Sequence, residues 1–481
     1  MPRIVATGMQ NFLKIRKNDC FYVDKTRFIK DWWNGQDDVT LIIRPRRFGK
    51  TLMLDTVRTF FSPEFAGRSD IFDDLTIYRD EAFRHLQGTI PVIFLSFSDI
   101  KCGSYSETIE SIKKHITDIY DDFSHILDTS AFSEREKQQF DSVQVGMSDV
   151  IAKTSLRDLA RHLVRQGYAR PIILLDEYDS PLQEAWTYGY WDELVLFMQG
   201  FFNSTFKSNP YLERGLITGI TRIAKESIFS DLNNLKVVTV TSNLYADCFG
   251  FTEQEVFAAM DEYGLTEKEE VKRWYDGFIF GSQKHIYNPW SVINYLSTKE
   301  FESYWIYSSE NTLVSELIAQ GNTTIKEETE HLLRGESVTT KIDEQIIFPQ
   351  LFKKREAIWS LLTMAGYVKP VSYDAKNRLY EIRLTNYESQ IIFENFISDW
   401  FGEVDEDKKN FCTALINNNV QYMNQYLSKI AEYTFSFFDT CGKEPERFYH
   451  AFVLGLIVDL KDSYEIISNR ESGLGRYDIA M

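Results

Sequence analysis

The chain has 481 residues, more than the ~250–300 at which one hydrophobic core stops growing, so two or more domains are expected. Hydrophobic residues make up 43% and aromatic residues 15%, which is typical of a folded chain and excludes a largely disordered one. The 71 acidic and 53 basic side chains give a net charge of −18, which repels polyanions and restricts phosphate contacts to local basic patches.

Five scattered cysteines without a C-x-x-C pair indicate neither a disulfide framework nor a zinc site. The seven histidines are also scattered, none has metal-ligand spacing with another, and catalysis by His or Cys has no support. No signal peptide is visible, and no apolar run approaches the ~20 residues of a membrane span. We therefore expect a soluble, cytoplasmic protein without membrane contact.

Four apolar, β-branched runs predict buried parallel strands, at residues 39–43, 91–97, 171–175 and 216–220. Because helical stretches separate them, the predicted fold class is α/β with a parallel sheet, which we assign to residues 1–251. Residues 252–255 have the form of a capping box, and helices predicted over 253–263 and 266–275 open a helical lid region, assigned to residues 252–345.

A short helix at 358–367, strands at 368–372 and 378–384, and the polar turn between those strands predict a winged-helix-like region over residues 346–402. The acidic stretch 403–409 leads into a last module, residues 403–481. A winged helix contains a helix-turn-helix, which invites a DNA-binding interpretation, but the acidic balance of the chain disfavours it.

A basic loop follows the first strand, and residues 52–61 after it are predicted to be helical. This context suits a phosphate-binding loop, because backbone N–H groups at a helix N-terminus, a lysine and a hydroxyl ligand for Mg²⁺ can then surround a triphosphate. The candidate nucleotide-binding residues are Arg44, Pro45, Arg46, Arg47, Phe48, Gly49, Lys50 and Thr51.

The entry to this loop departs from the general pattern G-x-x-x-x-G-K-T. Arg44 replaces the first glycine and Pro45 lacks an N–H group, so the usual geometry is excluded there. The three arginines can add positive charge beside the phosphates, although Arg46 and Arg47 can equally face an acidic neighbour. The alternative is a basic turn that contains Gly-Lys-Thr by chance.

The strand predicted at 171–175 ends in two carboxylates, Asp176 and Glu177. Asp176 can hold Mg²⁺ through water together with Thr51, and Glu177 can orient or deprotonate the attacking water. The alternative is an acidic turn that caps a buried strand. An acidic strand end and a phosphate loop in this order on one sheet are much rarer by chance than either alone, which favours nucleotide binding.

The strand predicted at 216–220 leads into Thr221 and Arg222, and with Thr218 these are candidates for contact with a γ-phosphate. Arg222 can stabilise the charge that develops in phosphoryl transfer, as a catalytic residue. The other interpretation is an ion pair with one of three acids, Asp176, Glu177 and Asp179. The sequence does not decide between them.

Several longer stretches resemble a family of bacterial proteins with an AAA-ATPase-like domain, often followed by a PD-(D/E)XK nuclease-like module. They are residues 22–26, 44–51, 175–179, 218–222, 226–235, 274–277 and 287–290. The family loop is similar to RPRRFGKT, so Arg44 follows the family pattern. The resemblance implies an AAA-like or STAND-like P-loop fold with ATP and Mg²⁺ as cofactors, more strongly than it implies turnover.

The last module resembles the opening of the nuclease-like domain, with Glu446 at the start of a helix, strands at 464–468 and 475–480, and Asp478 as the first metal carboxylate. The chain ends at Met481, before the (D/E)xK strand that would supply the second carboxylate. One carboxylate cannot assemble that metal site, so we expect no nuclease activity from this chain and regard Asp478 as an ordinary surface residue.

Three functional hypotheses follow. The first is an ATP-binding protein that hydrolyses ATP slowly, with Glu177 as base. The second is a nucleotide-gated interaction switch without useful turnover. The third is the ATPase part of a DNA-processing protein. A nucleotide is the expected ligand in all three, while a protein partner, a homo-oligomer in which Arg222 acts on a neighbouring copy, and DNA stay open.

Overall fold

The computed structural model describes residues 2–481 except 223–227, 230, 306–311, 320, 322, 346–350, 352, 401–404, 436–456, 458–459, 461–463, 465 and 473–474. Side chains are also left out at the ends of some helices and in most of 467–480. Glu446 therefore lies outside the described residues, and Asp478 is described only as part of a strand. Among the described residues, the helices are all too short or too polar to cross a membrane.

A five-stranded sheet organises the first half of the chain. Its strands are β1 (Val39–Ile43), β2 (Val92–Ser96), β3 (Ile172–Asp176), β4 (Arg214–Gly219) and β5 (Leu235–Val238). Their order across the sheet is β2-β3-β4-β1-β5, and every pairing is parallel. The predicted α/β fold with a parallel sheet is therefore confirmed, and a fifth strand, β5, is added to the four that the sequence indicated.

Helices cover both faces of this sheet. They are α1 (Phe12–Lys17), α2 (Arg27–Gly35), α3 (Lys50–Phe61), α4 (Glu81–Leu86), α5 (Tyr105–Ser124), α6 (Glu134–Asp141), α7 (Asp149–Arg165), α8 (Ser180–Tyr188) and α9 (Trp191–Phe206). In β1 the side chains of Leu41 and Ile43 pack into one core, and that of Ile42 packs into the other. Alternate side chains of a strand point to opposite faces, which is why a strand buried on both sides is apolar throughout.

A smaller antiparallel sheet with the order β6-β8-β7 follows. Its strands and the helices around it are β6 (Phe251–Thr252), α10 (Glu253–Tyr263), α11 (Lys268–Tyr275), β7 (Asp276–Phe280), β8 (Gln283–Tyr287) and α12 (Pro289–Thr298). The predicted capping box is present, because Thr252 and Glu255 each accept a bond from the backbone N–H of the other. We call residues 251–298 the lid.

The N-terminal segment, residues 2–23, packs against the lid. Phe21 belongs to the same core as Val256 and Tyr295, and the main chain of Ile4 pairs with that of Cys20. The Tyr263 hydroxyl donates to the carbonyl of Arg3 at 2.6 Å. The start of the chain is thus held by residues that come some 250 positions later.

The remaining described elements are α13 (Thr312–Ala319), α14 (Thr323–Leu333), β9 (Val338–Thr340), α15 (Arg355–Ala365), β10 (Val368–Asp374), β11 (Leu379–Leu384), α16 (Tyr387–Trp400), α17 (Asp405–Ile416), α18 (Val420–Phe435), β12 (Ile467–Ser472) and β13 (Gly475–Ala480). The predicted helix and hairpin at 358–384 correspond to α15, β10 and β11, and β9 adds a third strand to the hairpin. The winged-helix and nuclease-like assignments and the domain limits remain predictions.

Candidate functional site

Asp176, the last residue of β3, lies at the centre of the candidate site. Its carboxylate is fully buried and accepts hydrogen bonds from two hydroxyls, Thr51 Oγ1 at 2.7 Å and Thr218 Oγ1 at 2.5 Å. Thr51 is the second residue of α3, whereas Thr218 lies in β4, the strand between β1 and β3. The structure thus brings together Thr51 and Asp176, the two residues predicted to hold a metal ion, although their strands are not direct neighbours.

Lys50 lies inside the loop that precedes it. Its ammonium donates to the carbonyl oxygens of Arg44 at 2.9 Å and Pro45 at 2.8 Å, and its side chain is buried. Burial lowers the pKa of Lys50, whereas the negative charges of Glu177 and Asp176 raise it. A cation held by two carbonyls at the mouth of a helix is well suited to attract an anion there.

The loop backbone bends twice through the left-handed region, at Arg47 (φ 66°) and at Gly49 (φ 77°). Gly49 is the N-cap of α3, and the space where a side chain would lie is open. Glycine suits such a position because a Cβ is disfavoured there. Backbone N–H groups of residues that alternate between right- and left-handed conformations can point to one side and form a concave anion site, and the two left-handed residues are compatible with such an arrangement.

Arg44 lies in a different place from the one that its predicted role requires. Its guanidinium is fully buried, donates to the carbonyl of Thr239 at 2.6 Å and stacks on Phe280 at 4.6 Å from the ring centroid. Burial lowers its pKa to about 9. The side chain therefore ties the loop to the segment after β5, and the expectation that its charge adds to phosphate attraction is corrected. Pro45 likewise packs inward, near Gly366.

The other two arginines and Phe48 have separate environments. Arg46 donates to the side-chain oxygen of Gln183 at 3.3 Å, and the guanidinium of Arg47 lies 4.5 Å from the ring centroid of Trp290. Phe48 is buried against the lid, with its ring centroid 4.7 Å from that of Phe278. The loop is therefore held on its outer side by aromatic side chains of the lid.

Two acids after Asp176 have different surroundings. Glu177 has a left-handed backbone (φ 50°), and burial raises the pKa of its carboxyl while the Lys50 ammonium lowers it. Asp179 is buried and accepts bonds from Thr221 N and Thr221 Oγ1, both at 2.7 Å. Glu177 faces the cavity described below, whereas Asp179 also fixes the end of β4.

Arg222 pairs with none of the three acids that the sequence suggested. Among the described residues its ion-pair partner is Glu344, with Nη1 3.8 Å from the Glu344 carboxylate. The other oxygen of Glu344 accepts from Thr239 at 2.8 Å and from Thr241. The structure thus puts Arg222 beside an acid of the segment between β9 and α15, and of the two interpretations left open, the ion pair with Asp176, Glu177 or Asp179 is wrong.

One cavity of about 410 Å³ joins the loop to an apolar region. Its polar part includes the loop residues Arg46, Arg47, Gly49, Lys50 and Thr51 together with Ser98, Lys101, Glu177 and Asp179, and Phe48 also lines it. Its apolar part includes Ala6, Met9, Tyr22, Val23, Phe251, Trp290 and Ile293. Sequence reasoning missed the apolar part because it joins the N-terminal segment to α12, nearly 300 residues apart; the stretches 22–26 and 287–290 were noticed only through the resemblance.

The parallel sheet, the glycine-lysine loop after β1 and the buried acid at the end of β3 are consistent with a P-loop-like fold of the AAA kind. Residues 6–229 match the model of the AAA-ATPase-like family, described as "Predicted AAA-ATPase". A protein of Azotobacter chroococcum mcd 1, described as an uncharacterized protein in the vnfD 5' region, is 27% identical over 318 residues. The match covers 65% of the present chain but only 55% of that relative's length.

Proposed function

We propose that the chain binds ATP together with Mg²⁺ at the carboxyl edge of the parallel sheet. The observation that carries this proposal is the continuity of the 410 Å³ cavity from the lysine loop to an apolar wall. We place the triphosphate at Gly49 and Lys50 and the base against Met9 and Trp290, since all four residues line this cavity. The match of residues 6–229 to predicted AAA-ATPases supports the same ligand.

Thr51 and Asp176 are the proposed holders of Mg²⁺, since hydroxyl and carboxylate oxygens are the donors that this ion prefers. The contact between these two side chains supports that role. Bound Mg²⁺ would neutralise part of the charge on the phosphates. Lys50 would attract the same phosphates, exchanging its carbonyl partners for phosphate oxygens.

For hydrolysis we propose Glu177 as the general base, which orients a water molecule and takes its proton onto the carboxylate. Its position on the cavity and its raised pKa support this role, because a base with a higher pKa accepts a proton more readily. We keep Arg222 as a candidate for stabilising transferred charge, which requires that it leave Glu344 when nucleotide binds.

A nucleotide-gated switch without useful turnover is the second candidate. One set of contacts favours it: Trp290 of the cavity wall donates to the carbonyl of Tyr304 at 3.1 Å, and the neighbouring Ser291 donates to Glu388 of α16 at 2.8 Å. A change in the position of Trp290 on nucleotide binding would thus be passed to the helices that follow the lid.

The test of binding is a calorimetric titration with ATP, with and without Mg²⁺. We expect Lys50→Ala to weaken binding by roughly 10- to 100-fold, because a hydrogen bond to a charged group contributes about 1.5–3 kcal/mol. Lys207→Ala is the matched control, since this exposed lysine follows α9 at the opposite edge of the sheet. Equal affinity in the parent and Lys50→Ala would refute the loop assignment.

A measurement of ATP hydrolysis distinguishes the ATPase from the nucleotide-gated switch. Steady-state phosphate release that disappears in Glu177→Gln, with ATP binding preserved, supports the ATPase. Tight binding of ATP by the parent without phosphate release supports the switch.

A further inference from the structure

A second group of potential metal ligands lies in the lid, where the start of α10 meets the β7–β8 hairpin. One ligand atom from each of Glu253, Asp276 and His285 lies within 4.8 Å of the other two. Glu253 is the first residue of α10, Asp276 is the first of β7, and His285 is in β8. Three side chains from three elements therefore converge at one place, apart from the residues that line the nucleotide cavity.

Asp276 has the feature that points to a missing ligand. Only 10% of its side chain is exposed, and its Oδ2 lies 2.7 Å from His285 Nδ1. Its other oxygen, Oδ1, is buried and has no hydrogen-bond partner among the described residues. A buried carboxylate oxygen without a donor costs free energy, and a cation bound to it removes that cost.

Ammonium groups compensate part of the negative charge. Lys272 Nζ lies 2.6 Å from the Glu253 carboxylate, to which the Tyr287 hydroxyl also donates at 3.3 Å. Lys369 acts on Asp276 through its charge, while its own hydrogen bond goes to the carbonyl of Thr385. The Lys272 side chain is 36% exposed, so it can turn to solvent when another cation replaces it at Glu253.

We propose that Glu253, Asp276 and His285 form a binding site for a divalent transition-metal ion, with Zn²⁺ as the best match, and that Lys272 occupies the place of that ion when no metal is bound. Imidazole nitrogen with carboxylate oxygen suits zinc better than Mg²⁺ or Ca²⁺, which prefer oxygen ligands alone. Three protein ligands leave one position of a tetrahedral site to water.

The proposed metal site is connected to the phosphate-binding loop through the end of β8. β8 passes directly into Asn288, whose side chain caps α12, and the same side chain donates to the carbonyl of Arg46 at 3.5 Å. A metal ion that joins α10 to β7 and β8 would stiffen the segment that leads to this cap.

The experiment is a calorimetric titration of the full chain with Zn²⁺ and, separately, with Mg²⁺. The expected result is one Zn²⁺ bound more tightly than Mg²⁺, with at least a ~10-fold loss of Zn²⁺ affinity in His285→Gln. The matched control is His331→Gln, because His331 also pairs with a single acid, Glu336, but belongs to no three-residue group among the described residues. That control should bind Zn²⁺ as the parent does.

Lys272→Gln gives an independent measurement, since it removes the competing ammonium without removing a ligand. We expect it to tighten Zn²⁺ binding. Equal affinity of the parent and His285→Gln, equal losses in His285→Gln and His331→Gln, or weaker Zn²⁺ binding in Lys272→Gln would each overturn the proposal. Nucleotide-free protein is used, so these outcomes are independent of ATP binding.

Discussion

Thr218 connects the two sides of the candidate nucleotide site. Its hydroxyl donates to Asp176 at 2.5 Å, and the same oxygen accepts from the backbone N–H of Glu177 at 3.4 Å. Its main-chain carbonyl accepts from the N–H of Tyr178 at 3.1 Å. One residue of β4 therefore fixes the orientation of the proposed metal carboxylate and of the proposed base, without lining the cavity itself.

We expect Thr218→Val to reduce the Mg²⁺-dependent part of ATP affinity by about 10-fold, because partners that orient a metal ligand typically contribute that much. Binding of ATP without Mg²⁺ should change little. Calorimetry in the presence of Mg²⁺ and in the presence of EDTA measures the ATP affinity with and without the metal ion. Thr59→Val in α3 is the control, since the hydroxyl of this buried threonine donates to the carbonyl of Asp55 in its own helix and, among the described residues, to no group of the site. A loss of equal size with and without Mg²⁺ would contradict the orienting role.

Residue positions were predictable from the sequence where a motif determines both the residue type and its surroundings. Gly49, Lys50, Thr51 and Asp176 lie together as expected, because strand ends of one parallel sheet meet at one edge. The side-chain directions of Arg44 and Arg222 were not predictable, since their partners, Thr239 and Glu344, are far away in the chain.

At the scale of elements, Glu388 joins α12 to α16. Its carboxyl is fully buried and accepts from Ser291 Oγ at 2.8 Å and from the backbone N–H of Trp305 at 3.0 Å. Burial raises its pKa from 4.5 to about 8. The carboxyl is therefore protonated in the folded protein at pH values where the unfolded chain carries the charge.

This difference makes stability depend on pH. Because the pKa of Glu388 is higher in the folded protein than in the unfolded chain, its contribution to the free energy of unfolding is fully present below about pH 4.5. That contribution is lost as the pH rises towards 8, by up to about 1.4 kcal/mol per pH unit. We expect Glu388→Gln, which is neutral and of the same shape, to lose this part of the decline in unfolding free energy. Urea unfolding at pH 5, 6, 7 and 8 measures it.

The exposed carboxylate of Glu381 in β11 provides the control. Glu381→Gln should retain the pH dependence of the parent. If Glu388→Gln also retains it, the buried carboxyl does not cause the decline.

The elements themselves were largely predictable where burial is complete and the chain is capped. The limits of β1 and α10 agree with the predicted ones, because β1 is apolar throughout and α10 begins with a capping box. β5 was missed, since its four residues include Lys236 and only one buried side chain. Such an edge strand is defined by its pairing with β1 rather than by a pattern of its own.

At the scale of the whole molecule, the cavity is closed by parts that are distant in sequence. The N-terminal segment packs on the lid, and the two together form the apolar wall opposite the loop. Arg3 pairs with Glu262 at 2.7 Å, and Gly8 lies against the ring of Trp290. The apolar part of the site was beyond sequence reasoning because no local pattern indicates this packing.

Removal of residues 2–10 should therefore weaken binding of ATP by at least about 10-fold through loss of apolar contacts, each buried methylene contributing about 0.8 kcal/mol. Binding of inorganic triphosphate should stay near the parent value, because Lys50 and Thr51 are untouched. Competition of both ligands against a fluorescent nucleotide gives the two affinities. An equal loss of affinity for ATP and for inorganic triphosphate would show that the segment stabilises the phosphate-binding loop and does not contact the base of the nucleotide.

The order of the strands also has a consequence for synthesis of the protein. β1 pairs with β4 and β5, which follow it by more than 170 residues, so the phosphate loop has no neighbouring strand while the first part of the chain leaves the ribosome. Val39, for example, can pair with Gly215 and Leu235 only after both of those residues have been synthesised. Nascent chains that end before residue 214 should therefore not be retained on immobilised ATP, whereas chains that extend beyond the lid should be.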